Sequence, residues 1–335
     1  MHKEQLKDIM RKVLFTGFIL IFCFSCSNDL EMNASLAYQP VAYCLLDLNS
    51  EIQYVRVSRS YQSDASNFGK SPPADSLIIT EPCEIYIEKW TDGDLAETYL
   101  FSTTTLPRDS GFFPVRAQEW YAAAFKPQAF TRYLLYIYFP EIDKVVSAET
   151  VTTGFPMPED PQPELPRFIT ITRDRGYTLR WHSVEHSGVY EGIFTVNYLE
   201  TLGDDTEYHS VQWKLPNINL YEPDEIISQE INPNHFFHLL LDNIPVKPEV
   251  ERELVGMEFS LASGGEELAL AIRSAEIRGF SALSDYTNMD NGIGLFSSLA
   301  RAYVRNLAFS YLTEDAVCSD EQLKPLNFKR KGSHE

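Results

Sequence analysis

Three groups of side chains in this sequence have types and spacings that chemistry could use. His182-Ser183-Val184-Glu185-His186 matches H-x-x-E-H, in which two imidazoles hold a zinc ion and the carboxylate serves as base. Such ligands converge only on a helix, where residues four apart share a face. Here Trp181 ends a strand-like run and Gly188 follows, which predicts a loop with two solvent-facing histidines and no metal. Asp285, Asn288 and Asp290 are rich in oxygen, but D-x-x-N-x-D-N-G is not the spacing of a calcium loop. Gly292-x-Gly294 lacks the third glycine and the strand-to-helix setting of a phosphate loop, so it reads as a tight turn into a late strand. No GxSxG elbow, Walker loop or CxxC pair occurs. The expectation is therefore a chain with no catalytic residue, no cofactor and no metal.

The chemistry that the sequence does predict is acylation of a thiol. Lys3, Lys7, Arg11 and Lys12 form a charged start, Val13 to Phe24 an apolar run of 12 residues, and Ser25 a small side chain before Cys26. The run is too short for a membrane span, which needs roughly 20 apolar residues. A plain secretory signal would cut at the same place, because Cys23 and Ser25 are both small. The Phe-Ser-Cys ending resembles a bacterial lipoprotein signal, although Cys23 and Phe24 stand where Leu-Ala is usual. Residues 1–25 are thus expected to be a signal peptide and 26–36 a lipidated tether. Two or three acyl chains on Cys26 would hold the chain stably at a membrane, where one alone would not. Asp29 and Glu31, just behind the anchor, resemble surface-export signals, so the expected location is the outer membrane, exposed at the cell surface.

The formal charge is −20, from 28 basic and 48 acidic residues. Removing the first 25 residues removes four basic and two acidic side chains, leaving 24 and 46, or −22. So acidic a body has no polybasic patch for phosphate, which excludes nucleic acid as a partner by bulk charge. The charge reads first as a source of solubility, and in a functional version as attraction to cations or a basic partner. Cys44, Cys83 and Cys318 are an odd set outside the cytoplasm, so at least one has no partner within the chain. Cys44 and Cys83 lie in apolar strand-like runs, and either a bridge between them or two buried thiols fits the spacing.

These residues must be positioned by a mainly β chain. With 44% hydrophobic and 13% aromatic residues, the 310 residues after the signal can build cores for two domains. The segment 154–166, GFPMPEDPQPELP, carries five prolines and reads as a stiff linker. The expected fold is two β-sandwich domains in tandem, of immunoglobulin or fibronectin type III kind, at 37–153 and 167–320, with a polar tail at 321–335. In the first, Ile85 and Ile87 share one face and Glu84, Tyr86 and Glu88 the other, with a turn at Asp92-Gly93. Residues 132–140, RYLLYIYFP, are apolar on both faces and predict a central strand; 62–75 predict a surface loop. In the second, FITIT (168–172) and YTLRW (177–181) predict a hairpin, and Leu179-Arg180-Trp181 before the strand 190–200 resembles a fibronectin type III module. Val255, Met257, Phe259 and Leu261 alternate with polar or small residues and predict one buried strand face. Asn232-Pro233 predicts a helix start for 235–241, and Glu266-Glu267 another for a helix reaching Ser274.

Together these features resemble a family of uncharacterised Bacteroidota lipoproteins called domain of unknown function 4249. The resemblance covers most of residues 36–300. Its specific part is TN-x-x-NG-x-G-x-F, matched by Thr287, Asn288, Asn291, Gly292, Gly294 and Phe296. Members are often encoded beside TonB-dependent outer-membrane receptors, which implies an accessory role at the cell surface. The expected function is a non-enzymatic binding or accessory subunit of such a receptor, anchored through Cys26, its ligand undefined. An adhesin or assembly subunit is the alternative, and a metal-dependent hydrolase, resting on His182, Glu185 and His186, ranks third.

Overall fold

A computed structural model describes residues 38–60, 78–79, 81–107, 117–163, 168–219, 222–277 and 286–331. Cys26, the signal segment, the expected surface loop at 62–75 and Asp285 lie outside the described residues. The first strands are β1 (Pro40–Asp47), β2 (Ile52–Arg59), β3 (Glu84–Thr91), β4 (Asp94–Leu100), β5 (Ser102–Pro107), β6 (Ala117–Ala124), β7 (Arg132–Phe139) and β8 (Lys144–Val151), of which β4, β5 and β6 lack the apolar alternation of the others. Beyond them come β9 (Met157–Asp160), β10 (Phe168–Ile169), β11 (Tyr177–His182), β12 (Ser187–Leu202), β13 (Asp205–Lys214), β14 (Ile218–Asn219) and β15 (Ile226–Ile231). Helix α1 (Pro233–Asn243), β16 (Glu251–Gly265), α2 (Glu266–Ile277), β17 (Met289–Asp290), β18 (Ile293–Phe309), α3 (Tyr311–Ser319) and β19 (Phe328–Lys329) complete the order. No described helix is long and apolar enough to cross a membrane.

The chain is mainly β and sandwich-like. One long sheet runs β13-β12-β16-β18-β1-β2-β6-β5. Against one part of it lies the sheet β17-β8-β7-β3-β4, and the two enclose a core that includes Cys44, Leu46, Ile87, Tyr133, Leu135 and Phe139. Another part packs against the sheet β15-β11-β9 and helix α1, around Trp181, Phe194, Phe236, Phe237 and Phe259. Residues 154–166 therefore do not separate two sheets: there are two cores, but the long sheet serves both, and residues from Tyr38 onward form one compact unit. The reason is β18. Its 17 residues pair in parallel with β1 over Ile293–Leu299, then antiparallel with β16 as far as Leu307. Phe296 fills the first core, and Val304, Leu307 and Phe309 the second.

Part of the proline segment is itself a strand. β9 pairs only with β11, and Pro158 sits at that edge, where no ladder donor is needed. Phe168–Ile169 pair in parallel with β18 and Tyr177–His182 with β15 and β9, so the expected hairpin between 168–172 and 177–181 does not form. A single bridge, Thr172 to Arg175, closes the turn that follows the first run.

Local alternation also fails in β16. A bulge shifts the pairing between Asn197 with Gly256 and Tyr198 with Leu254, so Leu254 and Met257 are buried and Val255 faces solvent. A Cβ on Gly256 would lie 2.5 Å from the Leu307 carbonyl oxygen, which is why glycine occupies the bulge. The residues expected as a polar tail enter the second core instead. Leu323, Leu326 and Phe328 are buried there, and β19 pairs in parallel with β16. Three apolar side chains spaced through a polar stretch are enough to hold it. The helix starts are as expected: Asn232 accepts a hydrogen bond from the Asn234 amide at the head of α1, and Glu266 opens α2.

Candidate functional site

The most distinctive sequence string, 286–298, links the two covering layers of the first core. The Thr287 hydroxyl oxygen accepts from the Met289 and Gly294 amides at 3.1 and 3.0 Å. The Asn288 side chain behaves as a strand partner, accepting from the Phe296 amide at 2.9 Å and donating to the Phe296 carbonyl at 2.7 Å. It also donates to the Glu149 carbonyl on β8, and Asn291, at φ 61°, donates to that of Val145. Gly294 has φ +136°, and its backbone crosses that of Ala42 so closely that a Cβ would sit 1.7 Å from the Ala42 carbonyl oxygen. The side chains of Thr287, Asn288 and Asn291 thus bind backbone, and the amides of Met289, Gly294 and Phe296 are engaged within the protein.

Beside it lies a half-buried carboxylate. Glu267, in the first turn of α2, accepts from the hydroxyls of Thr150 and Ser297, both at 3.0 Å, while the Ser297 oxygen accepts from the Leu268 amide. Burial raises the Glu267 carboxyl above the usual range, outweighing these donors, and the neighbouring Glu266 charge pushes the same way. Burial, and then Glu267 and Glu266, also push the Tyr286 hydroxyl up. The hydroxyl of Ser298 accepts from the Thr153 amide, and that of Ser263 donates to the Gly154 carbonyl. A carboxylate beside a serine hydroxyl has the parts of a base and a nucleophile. Here Thr150, Ser297 and Ser298 are at most 1% exposed, so no substrate reaches them. The group ties α2, β8 and β18 together at the N-terminus of that helix.

A second buried charge cluster closes the other core. Arg252, fully buried, donates to Glu200 from Nε at 2.9 Å and to the carbonyls of Leu326 and Pro245 at 2.6 and 3.0 Å. Lys247 binds the other Glu200 oxygen at 3.0 Å. Burial raises the Glu200 carboxyl, but the hydrogen bonds and charges of Lys247 and Arg252 overcome it and hold the group below the usual range.

The other candidate residues are kept apart. His182 ends β11, whereas His186 turns at φ 56° before β12, with Nδ1 3.6 Å from Glu266. Strand and turn cannot bring the two imidazoles and Glu185 to one point. Among the described residues no group of three or more His, Cys, Asp or Glu side chains is placed to hold a metal ion. Asn288 is engaged on backbone and Asp290 pairs beside Ser147, so they form no calcium loop. Cys44, Cys83 and Cys318 are free thiols, the first two buried in the first core. Burial pushes the Cys83 thiol up to about 12 despite its contact with Tyr121, and Cys44 is raised further for the same reason.

Sequence reasoning missed the outer face of the sheet β17-β8-β7-β3-β4. The apolar character of 132–140 on both faces signalled a buried strand, yet Leu134, Tyr136 and Tyr138 are only partly covered.

No family model matches the chain, and no curated protein matches it. Among solved structures it is similar to one titled "Crystal structure of CBD12 from CALX1.2", at 11% identity over 78% of this chain and 99% of that chain, with a TM-score of 0.16. So low a score carries no argument, and the fold rests on the sheets themselves.

Proposed function

We propose that the chain is an outer-membrane lipoprotein, anchored through Cys26 and exposed at the cell surface, that serves as a non-enzymatic binding or accessory subunit of a TonB-dependent uptake receptor. The observation that carries this reading is the order of a basic start, a 12-residue apolar run and Ser25 leading to Cys26. Support comes from how the body uses its unusual residues. The family-like string from Thr287 to Phe296 stiffens a sandwich, and the polar groups around Glu267 and Arg252 bind elements together. A rigid β body on a lipid tether suits presentation of a surface to a neighbour.

The test is metabolic labelling with a palmitate analogue in the native host, followed by membrane fractionation. Wild type is expected to carry the label in the outer-membrane fraction, and Cys26→Ser to lose both label and membrane association. A Cys26→Ser protein that stays in that fraction would overturn the anchor. The receptor role is tested separately by purifying the wild type from gently solubilised membranes: consistent absence of a TonB-dependent receptor would overturn it.

A further inference from the structure

The solvent face of the sheet β17-β8-β7-β3-β4 is set by its pairing. Four rows cross it: Val145, Tyr138 and Glu84; Asp290, Ser147, Tyr136, Tyr86 and Leu100; Glu149, Leu134, Glu88 and Thr98; Val151, Arg132, Trp90 and Leu95. Leu100 is 76% exposed and Leu95 50%, so this is apolar and aromatic surface open to water, of the kind that marks interaction sites. Four carboxylates stand among those side chains against one guanidinium.

That guanidinium shows what the face accommodates. Arg132 lies 5.8 Å from the Trp90 ring centroid and binds both oxygens of Glu149, at 2.6 and 2.7 Å. Further along the same two strands, β3 and β7, the same ingredients recur without a cation. Tyr86 and Tyr136 stack at 4.9 Å, with Glu84 and Glu88 on either side of Tyr86 along β3. Glu88 accepts from the Trp90 indole nitrogen at 3.0 Å, and among the described residues neither Glu84 nor Glu88 forms an ion pair.

We propose that this face docks a basic polypeptide segment of a partner protein, whose arginine or lysine side chains meet Glu84 and Glu88 while its apolar side chains lie on Tyr86, Tyr136 and Leu100. Charge complementarity selects this occupant. The surplus of carboxylates repels a second copy of the same face and an anionic lipid surface alike. The dimensions agree, since four strands of about eight residues give a platform of roughly 25 by 15 Å, too small for a stable dimer but sufficient for one extended segment. The inference does not depend on the lipid anchor or on the receptor reading.

The test uses the full-length protein in detergent and a fluorescein-labelled peptide of alternating arginine and leucine, followed by fluorescence anisotropy at physiological ionic strength. Glu84→Gln/Glu88→Gln is expected to weaken binding ~10-fold and Tyr136→Ala ~5-fold. Asp204→Asn/Asp205→Asn, at an exposed hairpin tip, is expected to change it less than ~2-fold, because distant surface charges are screened. The glutamine pair keeps shape at exposed positions, and an unchanged melting midpoint would confirm that the sheet is intact. No measurable binding, an equal loss in the hairpin-tip variant, or no loss in the glutamine pair would each overturn the proposal. So would tighter binding of a neutral glucan oligosaccharide that the glutamine pair leaves unchanged.

Discussion

Gly294 passes Ala42 so closely that a Cβ on the glycine would lie 1.7 Å from the alanine carbonyl oxygen. This crossing sits where β18 pairs in parallel with β1, residues that are more than 250 positions apart in the chain. Backbone has to move before any side chain fits, and φ +136° is already outside the range that L side chains favour. Gly294→Ala is therefore expected to cost about 4 kcal/mol or more, read as a lower urea midpoint with an unchanged slope. A loss within about 0.5 kcal/mol would mean that β1 and β18 do not meet in this register.

Asn288 supplies to Phe296 both halves of a strand-like hydrogen-bond pair. Asn288→Ala would leave the amide and carbonyl of a fully buried residue without those partners, at a cost of about 2 kcal/mol. Asn288→Asp is informative beside it. The carboxylate can still accept from the Phe296 amide but would face the Phe296 carbonyl without a proton to donate. It should lose as much stability as alanine at neutral pH and recover part of it in acid, by chemical denaturation.

Arg252 and Glu200 form a buried pair in which each residue makes the other tolerable. Arg252→Met removes the buried one of the two cations that balance Glu200 and frees the carbonyls of Leu326 and Pro245, so a loss of about 3–5 kcal/mol is expected. Replacing both, with Glu200→Leu added, should recover at least half of it, because no buried carboxylate is left alone. Glu200 is held below the usual range, so its contribution is present above the ordinary carboxylate pKa and is lost as pH falls through its folded value. Glu200→Gln should accordingly flatten the acid limb of the stability curve.

How much of this could be read from sequence depends on the range over which each signal acts. Period-two alternation, the Asn232-Pro233 start and Glu266 at the head of α2 are local, and each placed its element. The prolines at 156 and 158 marked an edge but not a boundary, because the length of β18 decides that one sheet serves both cores. The local signal for the bulge at Val255 is Gly256, a lone glycine inside a strand pattern, whose close approach to Leu307 the alternation of its neighbours hides. Helix α3 was missed although Ser310 caps it, since its nine residues carry little periodicity. The string from Thr287 to Phe296 stood out by composition, but its partners Ala42, Val145 and Glu149 lie far away in sequence, so its work as a staple was invisible. The exposed aromatic face was hidden for the opposite reason: tyrosine and leucine look the same in sequence whether covered or not.

Glu267 is expected to give the protein an unusual dependence on pH. Its carboxyl is raised by burial, so the folded state binds a proton more readily than the unfolded chain. For a group shifted in this direction, the stabilising contribution is complete below the unfolded value and fades as pH rises through the folded one. Acid also weakens other contacts, because the carboxyls of Glu149, held by Arg132, and Asp320, held by Arg173, are shifted down. The informative quantity is therefore the stability of wild type minus that of Glu267→Gln, whose side-chain oxygen can still accept from Thr150 and Ser297. This difference should grow in favour of wild type as pH falls through the raised carboxyl value of the folded state towards the ordinary carboxylate value, followed by urea denaturation at each pH. A difference that stays level would show that the hydroxyl donors fully offset burial. One that reverses would show that the charged form is preferred, and that the helix N-terminus outweighs desolvation at this site.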